Sequence, residues 1–498
     1  MPGLVPLRLL GQRPGRPRIA ALFDAEPDRM ARLALDAAGI RFDFAKQDLA
    51  LAELDALLAF ARTAGLVEAR RRLFAGELVN ASEGRAATHW AERAHGPAPG
   101  LARLVARVEA GQFGPARHVL ALGIGGSALG PALVLDALRH GHRREVHVVA
   151  NVDGVALAGT LARCDPAATL LLVISKSFTT LETMLNASSA QAWLAAAGID
   201  PAARTIAVTA SPARAAGFGA AEALAFPETV GGRFSLWSAV GLPIALALGL
   251  AQFSALLAGA RAMDAHFTQA PDAANAPLIA ALIDLWNHGV HAHPTRAVFA
   301  YDERLRLLVP FLQQLEMESN GKGVAADGTP LDHPSAPVTW GGVGTDAQHA
   351  VFQWLHQGTG IAPAEFLAVR KPGHALPAEH HRQLLANCFA QAAALMRGRS
   401  LAEALAQSGG DAALAAARTF PGNRPSTTIL LDRLDAATLG ALLAFHEHRT
   451  FAFGMLCGVN PFDQWGVELG KEMASALAGG AGAPPDPSTA ALMAAAGL

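Results

Sequence analysis

The stretch RHVLALGIGGSALGP, Arg117 to Pro131, joins a short apolar run to a glycine-rich turn and then to a segment with helical spacing. Short apolar runs recur in this region, separated by longer segments of helical period, at 118–122, 145–150, 169–174 and 205–209. Strands that alternate with helices predict a parallel sheet covered by helices on both faces. This part of the chain is therefore expected to form an α/β domain.

The same alternation returns after an uncharged stretch at 234–260. The next candidate strands lie at 296–301, 337–340, 365–369 and 427–431. A second α/β domain follows from this pattern. The uncharged stretch is long enough to span a bilayer, but serine, proline and glutamine residues interrupt it, which favours buried core helices.

We divide the chain into four parts on this basis. They are a helical N-terminal segment packing on the larger domain (1–95), a first αβα sandwich (96–255), a second αβα sandwich (256–477) and a C-terminal tail (478–498). The pattern at 438–477 predicts one or two helices, and the Ala/Gly/Pro-rich tail is expected to be loosely held. The first twenty residues carry four arginines, but their four prolines disfavour an amphipathic targeting helix.

Composition restricts the class of function. The chain has 498 residues, 51% of them hydrophobic, and a net charge of −2, so it has no strong field for nucleic acid or an anionic membrane. A small-molecule substrate is expected instead. The three cysteines are odd in number and lie far apart, which suggests neither a disulfide framework nor a metal site and favours a cytoplasmic location.

The glycine-rich turn GIGGSALGP, Gly123 to Pro131, follows a predicted strand. Its glycines let backbone N–H groups approach a ligand, and Ser127 can open the next helix, where an anion is favoured. It matches neither the Walker pattern nor a clean dinucleotide fingerprint. When this run is taken alone, a plain tight turn that binds no ligand is an equally good interpretation.

The run SKSFTTLET, Ser175 to Thr183, also follows a predicted strand. Thr179 and Glu182 form a capping-box pattern that predicts a helix start at the carboxyl end of that strand. The hydroxyls and the ammonium that would hold a phosphate dianion belong to Ser175, Lys176, Ser177 and Thr180. An ordinary capped helix is the alternative, but two such turns at one sheet edge favour a ligand crevice.

Two further runs offer charged groups. Arg233, in GGRFSLWSAVGLP, is the last charge before the apolar stretch and is either a structural ion-pair partner or a donor to substrate. In QQLEMESNGKG, Glu316 and Glu318 lie two residues apart on a predicted helix, so at most one should face a given cleft. We choose Glu318 as the general base, against the alternative of a solvated acidic face.

The last two runs supply an imidazole and an ammonium. In GTDAQHAVFQWLHQG, a capping pattern of Thr345 with Gln348 places His349 in the first turn of a helix, where the helix dipole favours a neutral ring. His356, further along, is expected to be structural. In NPFDQWGVELGK, Gln464 and Lys471 are mixed with aromatic residues in a way that no simple amphipathic face requires. A surface position for the lysine is the alternative.

Taken together, these runs resemble the glucose-6-phosphate isomerase family. Two segments look like its signatures, YDERLRLLVPFLQQLEMESNGKG and GVNPFDQWGVELGK, and the matches run in order from VNASEGRAATHWAER to Lys471. The resemblance implies an α/β fold of two αβα sandwich (SIS-type) domains with parallel-dominated sheets and helical terminal segments. It also implies a homodimer whose active site lies between the domains, near the subunit interface.

The resemblance implies a role for each matching residue. Glu318 matches the base that moves the proton between carbon 1 and carbon 2, and Arg233 matches the arginine that stabilises the enediolate. His349 matches a ring-opening histidine contributed by the partner subunit, and Lys471 matches the lysine that assists at the ring oxygen. The remaining matches are to substrate-binding positions, at Gly126, Ser127, Ser175, Lys176, Ser177, Thr180 and Gln464.

The implied activity is the reversible conversion of D-glucose 6-phosphate to D-fructose 6-phosphate, in glycolysis and gluconeogenesis. The proton returns to the neighbouring carbon, so neither a cofactor nor a metal is expected. Two alternatives remain at this point, a non-catalytic sugar-phosphate sensor and an isomerase that also accepts mannose 6-phosphate.

Overall fold

The computed structural model describes residues 4–479 and 486–498 of the chain. Residues before the first sandwich form five helices and two small hairpins. The helices are α1 (Leu4–Gly11), α2 (Ile19–Ala25), α3 (Arg29–Leu33), α4 (Leu51–Thr63) and α5 (Leu66–Phe74). The strands are β1 (Ala34–Ala37), β2 (Ile40–Asp43), β3 (Leu78–Asn80) and β4 (Arg85–Ala86). The predicted helical segment thus has its five helices and, in addition, four short strands that the sequence did not indicate.

The first sandwich is built on a five-stranded, entirely parallel sheet of order β6-β5-β7-β8-β9. Its strands are β5 (His118–Leu122), β6 (Glu145–Val149), β7 (Thr169–Ile174), β8 (Thr205–Thr209) and β9 (Glu222–Ala225). Its helices are α6 (Pro99–Glu109), α7 (Leu129–Ala137), α8 (Gly154–Leu161), α9 (Leu181–Ala196), α10 (Pro201–Arg204), α11 (Pro212–Gly217) and α12 (Leu242–Leu248). The four strands predicted for this region are confirmed, and β9 is an additional strand.

Helices cover both faces of this sheet. Residues 120 and 122 of β5 pack with Leu157 of α8 and Leu194 of α9 in one cluster. Residues 119 and 121 of the same strand belong to the large central core, together with α7 and α12. Alternate residues of a strand point to opposite faces, so a strand buried on both faces reads as a continuous apolar run.

The second sandwich has a six-stranded sheet of order β1-β2-β13-β12-β10-β11. Its own strands are parallel and comprise β10 (Thr295–Tyr301), β11 (Val338–Val343), β12 (Ala364–Val369) and β13 (Ser426–Leu431). The hairpin of β1 and β2 extends this sheet antiparallel to β13. All four strands predicted for this region are confirmed, and the fold class of two α/β sandwiches with parallel-dominated sheets is confirmed with them.

The helices of the second part of the chain enclose this sheet and the central core. They are α13 (Leu250–Gln269), α14 (Ala276–Asp284), α15 (Leu308–Leu312), α16 (Gln348–Gln357), α17 (Ala378–Arg397), α18 (Leu401–Gln407), α19 (Ala412–Ala417), α20 (Ala436–Leu456), α21 (Glu468–Gly479) and α22 (Pro487–Ala496). The expected domain boundary at 255/256 falls inside α13, because one continuous apolar helix crosses it. A π-helical turn, Gln313–Glu318, follows α15.

The centre of the molecule is formed by α13 and α20. A Cβ atom on Gly259 of α13 would lie 1.7 Å from the Ala437 carbonyl oxygen, so only glycine allows this close crossing. The uncharged stretch at 234–260 contributes α12 and the start of α13, and every residue of α12 is buried. In the described residues, no helix is both long and apolar enough to cross a membrane. The interpretation of this stretch as core helices is confirmed.

The predicted tail, 478–498, lies partly outside the described residues, at 480–485. Its described end forms α22, and none of the residues of α22 is buried. The pattern at 438–477 corresponds to two helices, α20 and α21.

Candidate active site

A cavity of about 820 Å³ opens at the carboxyl edge of the first sheet. The loops that follow β5, β7 and β8 line it, as do the turn at 231–233, the end of the π-helical turn and the segment from Gln464 to Lys471. The carboxyl edge of an open parallel sheet is where such folds bind ligands. All predicted site residues except His349 line this cavity: Gly126, Ser127, Ser175, Lys176, Ser177, Thr180, Arg233, Glu318, Gln464 and Lys471.

The glycine-rich loop approaches the turn at 231–233 very closely. A Cβ atom on Gly126 would lie 2.0 Å from the Gly232 carbonyl oxygen, so no other residue fits there. The loop forms a single 3₁₀ turn, Gly125–Ser127, before α7. Backbone contact between these two loops gives the cavity one rigid wall and leaves Ser127 on its lining.

The loop from Ser175 to Thr180 presents hydroxyl groups at the start of α9. The Ser175 and Thr180 hydroxyls lie 3.2 Å apart, and those of Ser177 and Thr179 lie 2.7 Å apart. The predicted capping box of Thr179 with Glu182 is not formed, because Thr180 is the N-cap residue and makes no side-chain capping bond. The free N–H groups at this helix start remain available for an anion.

Lys176 is held at the wall of the cavity by two backbone carbonyls. Its Nζ donates to the oxygen of Glu228 at 2.5 Å and to that of Val230 at 3.1 Å. Burial lowers the pKa of the Lys176 ammonium to about 8, and the nearby Arg85 guanidinium acts in the same direction. The Glu83 and Glu228 carboxylates only partly offset this burial, which suits the ammonium to a dianionic ligand.

The two neighbouring glutamates point to different places, as the sequence predicts. Glu316 is buried, pairs with Arg296 and accepts a 2.6 Å hydrogen bond from the Thr339 hydroxyl. Glu318 lines the cavity instead, with its side chain 20% exposed. The π-helical turn that ends at Glu318 is a feature often found at functional sites.

Arg233 is almost completely buried and joins the two halves of the molecule. Its Nε donates to the Ser319 hydroxyl at 2.6 Å, and its Nη2 donates to the Pro461 carbonyl at 2.6 Å. Its Nη1 faces the cavity, donating to Gln464 Oε1 at 3.0 Å and lying 3.5 Å from Glu318 Oε2. Burial lowers the pKa of Arg233 and the Glu318 charge opposes this, but a guanidinium stays protonated at working pH.

A partly buried ion pair fixes the loop that carries Gln464. Lys322 Nζ donates to Asp463 Oδ1 at 2.6 Å, and the other carboxylate oxygen accepts from the Asn460 amide at 2.8 Å. Lys471 lies on α21, a helix without buried residues, and reaches the cavity from its outer side.

His349 is the one predicted site residue outside this cavity. It is exposed near the start of α16, where its backbone N–H donates to the Asp346 carbonyl at 3.0 Å. The helix begins at Gln348 and has no side-chain cap, so the Thr345–Gln348 capping pattern is not formed. His356 bonds Gln391 at 2.9 Å, in keeping with a structural role.

The structure adds residues to the site that the sequence did not single out. Thr183 is 2% exposed, lines the cavity, and its hydroxyl has no hydrogen-bond partner. Glu83, Arg85 and Gln314 also line the cavity. The signal for Thr183 was its place at the end of the SKSFTTLET run, one helical turn after Thr180.

Known proteins match the chain over almost its whole length. The sequence profile of the family described as Phosphoglucose isomerase matches residues 43–103 and 100–493. The glucose-6-phosphate isomerase of Rhizorhabdus wittichii is 55% identical over 490 residues, covering 96% of each chain, and that of Zymomonas mobilis is 50% identical, covering 95% of this chain and 94% of its own. The crystal structure of a glucose-6-phosphate isomerase from Chlamydia trachomatis superposes with a TM-score of 0.89 at 29% identity, over 100% of this chain and 99% of its own. The chain belongs to the phosphoglucose isomerase family.

Proposed function

We propose that this chain interconverts D-glucose 6-phosphate and D-fructose 6-phosphate, the step shared by glycolysis and gluconeogenesis. Membership of the family and near full-length identity to glucose-6-phosphate isomerases support this activity. One observation carries the chemistry: a carboxylate, Glu318, lies 3.5 Å from a buried guanidinium, Arg233, on the wall of a cavity that also has hydroxyl-rich loops.

Exchange between aldose and ketose requires removal of a proton from a carbon beside a carbonyl. Glu318 takes this proton from carbon 2 of the open-chain aldose, and the electron pair moves to form an enediolate. Arg233 stabilises the new oxyanion, because its positive charge is already in place and shielded from water. The hydroxyl proton on the oxygen of carbon 2 passes to the oxygen of carbon 1, and the protonated Glu318 returns its proton to carbon 1. A carbonyl is then left at carbon 2, which gives the ketose without net oxidation or reduction.

The sugar must first be opened and held. Lys471 and His349 transfer the protons that open the hemiacetal ring. The phosphate is bound by Ser175, Ser177 and Thr180 at the start of α9, with Lys176 beside them. Phosphate binding energy then serves to orient the reacting carbons.

The chain acts as a homodimer in this proposal. His349 is exposed and absent from the lining of its own cavity, which fits contribution to the cavity of the partner subunit. All three cysteines of the chain are free thiols, which fits a reducing cytoplasm.

A complementation experiment tests the contribution across the dimer. Glu318→Gln and His349→Gln homodimers should each be nearly inactive, whereas mixed dimers hold one intact site. Random mixing makes half of the dimers mixed, so about a quarter of wild-type activity should return in a two-fold symmetric dimer. No gain on mixing, with exchange of subunits verified by tagged chains, would show that His349 acts within its own subunit. An active His349→Gln homodimer would show that His349 has no part in turnover.

The activity itself is tested by a coupled assay for fructose 6-phosphate formed from glucose 6-phosphate. Turnover supports the enzyme, whereas tight binding without turnover would identify a sugar-phosphate sensor. Mannose 6-phosphate, supplied as competitor and as substrate, decides whether the site also accepts the 2-epimer.

A further inference from the structure

Two histidines and a cysteine meet near the amino edge of the first sheet, at the opposite end of the strands from the cavity. His118 begins β5, His147 lies within β6, and Cys164 follows α8. Each offers one ligand atom, and the three atoms all lie within 4.8 Å of one another. Across residues 4–479 and 486–498, no other group of three such side chains meets this condition.

The strand register explains why the histidines meet. His118 is paired with Glu145, and Leu120 is paired with His147, so the two imidazoles are diagonal neighbours on one face of the sheet. Their ring centroids are 5.7 Å apart. This is the face that α8 covers, and the chain leaving α8 brings Cys164 to the same place.

Two ring nitrogens in this group have no hydrogen-bond partner. His118 is 3% exposed, and its Nδ1 is buried and unpaired, as is Nε2 of His147. Buried polar atoms are nearly always hydrogen-bonded, so two neighbouring exceptions require an explanation. The nearest carboxylate oxygen, Glu145 Oε2, lies 3.5 Å from His118 Nδ1.

We propose that His118, His147 and Cys164 bind a divalent transition metal ion, Zn²⁺ by ligand type. Two imidazole nitrogens and one thiolate are a preferred donor set for Zn²⁺. Tetrahedral Zn²⁺, with bonds of about 2.0–2.1 Å to nitrogen and about 2.3 Å to sulfur, places ligand atoms roughly 3.3–3.6 Å apart. The three atoms therefore need to close by up to roughly 1.5 Å, and Glu145 or water completes the coordination.

The protonation of the ligands is compatible with binding. Burial lowers the pKa of His147, with a further contribution from Arg163, so this imidazole is in its neutral, metal-binding form. Burial raises the pKa of the Cys164 thiol, so the metal must displace its proton. Binding is thus accompanied by release of one proton to solvent, with no redox change.

Titration of the metal-stripped protein with Co²⁺ tests the site directly. We expect one Co²⁺ per chain, with a thiolate-to-cobalt charge-transfer band in the near ultraviolet that Zn²⁺ abolishes by displacement. Cys164→Ser should remove this band. A Co²⁺ complex without the band, or the same band in Cys164→Ser, would overturn the assignment.

Zn²⁺ affinity, measured by competition with a chromophoric chelator, tests whether a histidine is also a ligand. We expect the dissociation constant to rise at least about tenfold in His147→Gln and in Cys164→Ser. His140→Gln is the matched control, because His140 is an exposed histidine in the turn Arg139–Gly141 just before β6. An equal change in the control and in His147→Gln would contradict the site.

A measurement on the unaltered chain avoids any effect of substitution on folding. Cys388 and Cys457 are fully buried, so the partly exposed Cys164 is the thiol expected to react with an alkylating reagent. Saturating Zn²⁺ should slow its alkylation several-fold, as followed by peptide mass spectrometry. An unchanged rate would refute the site. Sugar isomerisation should persist in Cys164→Ser, since the cavity lies at the other edge of the sheet.

Discussion

Replacement of each of two neighbouring glutamates separates the chemistry of the site from the stability of the fold. Glu318→Gln preserves the shape of the side chain but removes the carboxylate that we propose acts as the base. General base catalysis contributes about 10²–10⁴-fold to rate, equivalent to about 3–5 kcal/mol of barrier. We therefore expect turnover to fall by that factor, while an inert phosphorylated sugar acid still binds close to wild-type affinity.

The effect of Glu318→Gln on stability should be small. The carboxylate lines the cavity, and Arg233 keeps its hydrogen bonds to the Ser319 hydroxyl and the Pro461 carbonyl. A loss of about 1 kcal/mol in the free energy of unfolding is expected, because the lost contact, at 3.5 Å, is longer than a hydrogen-bonded ion pair and the guanidinium keeps its other partners.

Glu316→Gln is the matched control, because the same chemical change is made two residues away in a buried pair. Its carboxylate contacts Arg296 and the Thr339 hydroxyl. Breaking a buried pair costs about 3–5 kcal/mol, but Arg296 retains Glu365 at 3.1 Å, so we expect a loss near the low end of that range. Turnover per folded molecule should stay within a few-fold of wild type.

Two assays distinguish the variants: steady-state kinetics with fructose 6-phosphate detection, and urea denaturation followed by intrinsic fluorescence. We expect opposite patterns: lost turnover with retained stability for Glu318→Gln, and retained turnover with lost stability for Glu316→Gln. Turnover of Glu318→Gln within about tenfold of wild type would remove Glu318 from the role of base.

Two further predictions concern the part of the cavity that we propose binds the phosphate, at Lys176 and Gly126. Burial lowers the pKa of Lys176 to about 8, so as pH rises the folded protein loses this proton before the unfolded chain does. The free energy of unfolding should therefore increase between about pH 8 and pH 10.5. Affinity for the sugar phosphate should instead fall over this range, because the ammonium is neutralised while the phosphate is already a dianion at pH 7. KM should therefore increase several-fold as pH rises through 8. Lys176→Met should raise KM at pH 7 and flatten this pH profile, and a profile that keeps its wild-type shape would contradict the role. Gly126→Ala should destabilise the fold by about 1–3 kcal/mol and raise KM, because the new Cβ would meet the Gly232 carbonyl oxygen at 2.0 Å. Gly154→Ala, whose Cβ would meet nothing within 4 Å, is the control, and equal effects of the two substitutions on KM would refute the packing argument.

The sequence predicted every strand that is buried on both faces. Such strands are continuous apolar runs in the sequence. The turns that follow them contain polar residues and lie at one edge of the sheet, so the position of the cavity could be predicted from the sequence. The hairpin of β1 and β2 was missed because its turn, Ala38-Gly39, lacks the usual sequence signal. Both residues have positive φ, and a turn of that kind usually contains Asn-Gly or Asp-Gly, not an alanine in its first position.

Strand β9, Glu222–Ala225, was missed for a different reason. Its sequence, EALA, consists of good helix formers, and it is extended only because β8 pairs with it. Tertiary pairing overrode local propensity in this segment. The hydroxyl of Thr183 was also missed as part of the site, because its lack of a partner is a property of the packed structure.

The least predictable feature of the site is the one on which its chemistry depends. Arg233 and Gln464 are separated by 231 positions, and no local pattern indicates that they share a hydrogen bond. Yet the Nε and Nη2 atoms of Arg233 are committed to fixed acceptors of the second half of the chain, at Ser319 and Pro461. Its Nη1 instead contacts two side chains that line the cavity, those of Gln464 and Glu318.

This division of donors means that the charge of Arg233 is oriented before any sugar enters. Fixed charge is what enediolate stabilisation requires, because no reorganisation then accompanies the reaction. Lys471 is held differently, on α21, a helix that buries none of its residues. Ring opening needs only a brief contact between the proton donor and the ring oxygen. The enediolate oxyanion must be stabilised for the whole transfer of the proton from carbon 2 to carbon 1. This difference supports the proposed assignment of the rigid cation, Arg233, to carbons 1 and 2 and of the exposed lysine, Lys471, to the ring oxygen.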